Sequence, residues 1–229
     1  MQKLHEKSVI YDRELIYRPD LAGLPQVLHV DKSLLIISKP SGLLSVPGKA
    51  PGHKVSLESV MQAQYPDARI VHRLDLATSG VMVMARTAAA HRHLGLQFER
   101  RHVSKTYIAR VWGEVPAASG HIDMPMRCDW PNRPVQMIDP DKGKRAITNF
   151  RRLEIKRGVT RLELKPITGR SHQLRLHMLS VGHPILGDQL YAPDEAYRAV
   201  GRLQLHAQTL ELYHPDDGAR MTFDAPCEF

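Results

Sequence analysis

The nine residues His72-Arg-Leu-Asp75-Leu-Ala-Thr-Ser-Gly80 are where residue types and spacing most directly allow chemistry. An ionised Asp75 can act as a nucleophile or as a general base, and the guanidinium of Arg73 nearby favours its charged form. Thr78 and Ser79 offer hydroxyls for local backbone caps, and Gly80 lets the chain turn sharply beneath the carboxylate. The competing structural reading is a surface turn whose Asp caps a helix or pairs with Arg73.

Two later segments carry further candidates. Tyr107 opens a strand after Ser104-Lys-Thr106, and a tyrosine ring there can stack on a base while its phenol oxygen takes part in proton transfer. Packing on a sheet face is the alternative role. Leu164-Lys-Pro-Ile-Thr-Gly169-Arg170-Ser-His172-Gln-Leu-Arg175-Leu-His177 is a basic block. It leads into a helix over 171–181, with Ser171 as N-cap and Leu174, His177, Met178 and Val181 on one apolar face. Arg175 lies off that face, its guanidinium free to point into a cleft, and arginine suits ionic positioning through its rigid fork of donors.

Other chemistries fit poorly. Gly42 and Gly48-Lys-Ala50 miss the spacing and the hydroxyl of a phosphate loop, and Gln173 stands where a hydrolase elbow needs glycine. His172 and His177 diverge by about 140° on a helix, so a shared metal is not expected. A glycosidase would need a second carboxylate, and although Asp123, Asp129 and Asp188 exist, nothing in the sequence links them to Asp75.

The elements that must position these residues follow from periodicity. Strands are expected at 28–30, 34–37, 81–84, 107–112, 146–155, 159–164, 203–213 and 221–223, and helices over 57–65 and 87–98. Lys39-Pro-Ser-Gly42 reads as the break that stops the second strand. Many strands and few helices predict an α+β fold on a large, mainly antiparallel sheet. Residues 1–25 read as an N-terminal arm and 26–229 as a single catalytic domain, a length sufficient for two lobes. The net charge of +8 favours a polyanionic partner. A polar N-terminus and the lack of any run near 20 apolar residues predict a cytoplasmic protein without a membrane span. Cys128 and Cys227 are in no metal-type spacing and are expected to be reduced thiols.

Taken together, the three blocks resemble the RluA family of RNA pseudouridine synthases, whose signature is His-Arg-Leu-Asp, two variable residues, then Thr-Ser-Gly. The likeness runs from about Val27 to Phe229, and Cys128-Asp-Trp-Pro-Asn-Arg133-Pro is similar to one branch of the family. The resemblance implies the pseudouridine synthase fold, with two lobes about a central catalytic cleft, and no S4-type RNA-binding domain. It implies isomerisation of uridine in structured RNA loops, with position 746 of 23S rRNA and position 32 of tRNA anticodon loops as targets. Asp75, Tyr107 and Arg175 would be catalytic, with Arg175 pairing with Asp75, while Arg73, Arg170 and His172 would meet RNA. Arg73 would enter the space left by the flipped base. No cofactor, no metal and a monomer are expected. The rival from another class is a non-catalytic RNA-binding or ribosome-assembly protein with the same fold.

Overall fold

The computed structural model describes Arg13, residues 16–20 and residues 25–229. Most of the expected N-terminal arm lies outside the described residues. Of the part that is described, Arg13 donates to the carbonyls of Gln189 and Ala192, and the Tyr17 hydroxyl donates to the Val55 carbonyl.

Twelve strands and four α-helices follow in the order β1 (Gln26–Val30), β2 (Leu34–Lys39), α1 (Leu57–Gln64), β3 (Arg69–Ile70), β4 (Ser79–Ala85), α2 (Ala88–Glu99), β5 (Ser104–Trp112), β6 (Ser119–Asp123), β7 (Met126–Cys128), β8 (Gln136–Ile138), β9 (Ile147–Lys156), β10 (Val159–Pro166), α3 (Gln173–Ser180), α4 (Asp194–Arg198), β11 (Leu205–Tyr213) and β12 (Arg220–Asp224). Ten strands form one sheet in the order β1-β2-β4-β11-β5-β10-β9-β6, with β12 beside β11 and β3 beside β4, while β7 and β8 make a separate hairpin. Of the pairings between these strands, only β4 with β11 is parallel. The α+β fold with a large, mostly antiparallel sheet is therefore as expected.

Local chemistry explains the elements. The continuous apolar runs of β2 and β4 are buried along their length, as strands covered on both faces must be. α1 starts at a capping box between Ser56 and Ser59, and α2 at a Thr87 side chain that accepts the Ala90 N–H. β3, β6, β7, β8 and α4 were not expected.

Two cores lie side by side. One gathers β2, β4, α1 and α2, and the other gathers β5, β10, α3 and the start of β11. Tyr107 packs against both, so it sits on the seam between them, and Leu74 and Ala77 put the Asp75 loop on the same seam.

Gly80 does not make the expected turn under the carboxylate. It lies within β4 at φ +118°, where β11 crosses in parallel, and a Cβ there would collide with the Ala207 carbonyl and amide. Gly80→Ala combines backbone strain with overpacking, each worth about 1–3 kcal/mol. A loss of several kcal/mol in denaturant unfolding is expected, and a change of under about 1 kcal/mol would count against this account.

Candidate active site

The Asp75 loop hangs from the segment that follows β2. The Ser45 hydroxyl accepts the Leu74 N–H and donates to the Leu74 carbonyl. The Leu76 carbonyl accepts from the Gly42 N–H and from the ammonium of Lys39, and the Ser41 hydroxyl donates to the Ala77 carbonyl. Lys39 is fully buried and gives further hydrogen bonds to the Pro40 and Leu43 carbonyls. Burial pulls its pKa down to about 7, against the pull of Asp75. What reads in sequence as a strand break is thus the cradle of the loop.

The signature residues around Asp75 serve the same end. His72 Nε2 accepts the Val83 N–H at 3.1 Å, and its ring stacks on Phe98 with centroids 4.5 Å apart. Ser79 makes a long-range link in place of the expected local cap, since its hydroxyl bonds His206 Nδ1 at 2.9 Å and accepts from Arg202. The turn itself is closed by the Thr78 N–H on the Asp75 carbonyl.

α3 departs from expectation at its start. Ser171 is not the N-cap: His172 holds that position at φ +55° and makes no side-chain cap. The Gln173 amide oxygen instead accepts from the Arg170 N–H and the Thr168 hydroxyl. Nor is Arg175 free. It is buried with the whole first half of α3, and its guanidinium forms a fork with Asp188, with Nε and one terminal nitrogen each 2.7 Å from a carboxylate oxygen. Its remaining terminal nitrogen lies 3.4 Å from Asp75 Oδ2. Burial opposes the charge on Arg175, but Asp188 and then Asp75 outweigh it and raise its pKa. Burial likewise opposes the charge on Asp188, but Arg175 keeps its pKa below the ordinary value.

Asp188 is thus linked to Asp75 through Arg175, which the sequence did not show. Its Oδ1 also accepts the Leu190 and Tyr191 N–H groups, so this buried carboxylate is fully engaged. The Tyr191 ring lies under the Arg175 guanidinium at 5.1 Å.

Asp75, Tyr107 and Arg175 line one open cavity of about 1160 Å³ together with Arg73, Arg170 and His172. The Asp75 side chain is 27% exposed there, enough to meet a ligand. Burial, and then Asp75, raises the Tyr107 pKa, so the phenol stays protonated at neutral pH. Arg73 and Arg170 are exposed, whereas the His172 side chain is largely covered. Arg101, Lys105 and Arg133 add positive charge to the lining, against Glu99 and Asp75. Such a cavity suits a polyanion that delivers one group to a single carboxylate.

The comparisons identify that polyanion's class. The family described as RNA pseudouridylate synthase matches residues 33–180. The chain belongs to that family. It is an RNA pseudouridine synthase, an isomerase that converts uridine to pseudouridine in RNA, and the non-catalytic alternative is not favoured. Proteins named dual-specificity RNA pseudouridine synthase RluA are similar over nearly all of it. The one from Salmonella typhi is 51% identical over 93% of this chain and 98% of its own length. The one from Yersinia pestis is 53% identical over 89% and 99%. Human RNA Pseudouridylate Synthase Domain Containing 1 superposes with a TM-score of 0.77 at 26% identity, covering 91% of this chain and 86% of the other. Among the described residues, no helix is long and apolar enough to cross a membrane.

The synthase carries a stability signature in its histidines. Burial lowers the pKa of His72 to about 3 and of His172 to about 4, and lowers those of His177 and His206 as well. The unfolded chain takes up these protons near pH 6.5, while the folded chain resists them. Their contribution is therefore complete above about pH 6.5 and is lost as pH falls towards 4 and 3, by up to about 1.4 kcal/mol per pH unit for each group. Denaturation midpoints are expected to drop steadily from about pH 7 to pH 5. A flat profile would contradict this.

Proposed function

We propose that this synthase is dual-specific, isomerising one uridine in a loop of 23S rRNA and one in tRNA anticodon loops. The reading rests on the RluA proteins named above, which match the chain at about half of its positions. In this reading residues 26–229 act in the cytoplasm as one catalytic unit, as a monomer.

Asp75 is the reacting carboxylate, either attacking ribose C1′ or removing a ribose proton so that the C1′–N1 bond breaks. The base then rotates and rejoins through C5. Arg175 aims Asp75, and Tyr107 stacks on the uracil and assists loss of the C5 proton. A stacked uridine cannot reach a carboxylate on the cleft floor, so the nucleotide must flip out, at a cost of a few kcal/mol. Arg73 fills the gap, being exposed in the cleft lining one position from the buried Leu74 and two from Asp75. Arg170 and its neighbours contact phosphates, giving salt-dependent affinity. The observation that carries these roles is the meeting of Asp75, Arg175 and Tyr107 in one cationic cavity.

The test is tritium release from uracil-5-labelled stem–loops of both RNA classes. Both are expected to release one tritium per molecule, and versions with cytidine at the target uridine none. Release from one class alone would reduce the proposal to a single specificity.

A further inference from the structure

His172 is placed unusually for a residue that only walls a cleft. A left-handed φ is uncommon outside glycine, and histidine is among the residues that accept it more readily; His172 adopts +55° and its side chain is only 11% exposed. Held this way, its ring spans two groups: Nδ1 lies 2.8 Å from the Tyr191 hydroxyl and Nε2 4.0 Å from Asp75 Oδ1. The proton positions follow from the network. The Tyr191 oxygen accepts the Gln136 N–H at 2.8 Å, so its own hydrogen is free to donate, and His172 Nδ1 is the acceptor it faces. Nδ1 is therefore bare and Nε2 carries the hydrogen. Burial, assisted by Arg175, keeps the ring neutral, with a pKa of about 4. A neutral Nε2 thus lies 4.0 Å from Asp75 Oδ1, while Arg175 makes its 3.4 Å contact with Oδ2.

We propose that His172 is a positioning residue for Asp75, its Nε2–H engaging Oδ1 while Arg175 engages Oδ2, with Tyr191 fixing the tautomer that makes this possible. The inference rests on Asp75 being the reacting carboxylate. At 4.0 Å the contact is too long for a hydrogen bond, and it closes when RNA fills the cleft and displaces water, as catalytic contacts commonly tighten on substrate binding. With both oxygens held, the carboxylate plane is fixed relative to the incoming sugar. The network begins at Gln136 of the β7–β8 hairpin, which also carries the cleft-lining Arg133, so seating of RNA on that hairpin bears directly on Tyr191.

His172→Asn and Tyr191→Phe test this. Asparagine tolerates the left-handed backbone, and its shorter amide reaches Tyr191 but not Asp75. For His172→Asn, single-turnover tritium release is expected to slow about 10- to 100-fold, a cost of the size that misplacement of a reacting group brings. KM for RNA and the melting temperature should stay near wild type. His172→Gln, whose amide extends further, should recover part of the rate. Tyr191→Phe frees the tautomer and should slow release about 3- to 10-fold, less than loss of the histidine itself. Raised KM with unchanged kcat would mark a wall residue and overturn the proposal. Wild-type kcat in both variants would do the same, and Tyr191→Phe decides alone if His172→Asn fails to fold. Normal release by Asp75→Asn would instead remove the premise, and the proposal with it.

Discussion

Asp75→Asn is expected to reduce tritium release by roughly 10⁴-fold or more, the scale seen when a reacting nucleophile is removed. The substitution keeps the shape of the side chain and removes its charge. Neither route open to Asp75 survives, since a neutral amide neither attacks C1′ nor takes a proton. The scaffold is expected to persist because Arg175 keeps its fork to Asp188, and the loop is held through main-chain groups by Lys39, Ser41, Gly42 and Ser45. RNA affinity should hold or rise slightly, because one negative charge leaves a cavity lined by Arg73, Arg101, Lys105, Arg133 and Arg170. Filter binding at fixed salt, beside single-turnover release, separates the two effects. A variant that kept turnover within tenfold of wild type would remove Asp75 from the chemistry.

The parts of this site that were legible in sequence are those that are local in the chain. Asp75 and its turn, the Tyr107 strand and the basic approach to α3 are each contiguous, and apolar periodicity was enough to place β2, β4, β5, α1 and α2. What escaped was non-local. Lys39 reaches Leu76 across 37 positions, and its sequence shows only a cation at the end of an apolar run followed by Pro40. Asp188 meets Arg175 13 positions away, beyond the end of α3, so helical spacing gave no hint of the pair. Helical spacing puts Arg175 off the apolar face with its guanidinium free to enter a cleft, but it does not show that the side chain is buried in a fork with Asp188. Burial of a guanidinium requires a partner that only the fold supplies. Short elements failed for a different reason: β3, β7 and β8 have two or three residues each, too few to show any period.

Asp188 is expected to matter for both folding and rate, and the two can be separated. Asp188→Ala leaves the Arg175 guanidinium buried without its fork and orphans the Leu190 and Tyr191 N–H groups. Breaking a buried pair by removing one partner costs about 3–5 kcal/mol, most of it from the charge left behind. Among the described residues the surviving cation then has only the Asp75 carboxylate beside it, which draws that side chain out of the cleft and slows turnover by about 10²-fold. Removing both charges in Asp188→Leu/Arg175→Met eliminates the stranded ion. Apolar replacement of a buried pair is often neutral or stabilising, so the double variant should regain most of the lost stability. It should not regain activity, because nothing then holds Asp75 Oδ2. Denaturant unfolding and single-turnover release on the three proteins therefore move apart: stability returns while rate stays low. If rate returned together with stability, the pair would be scaffold alone, and Arg175 would have no part in aiming Asp75.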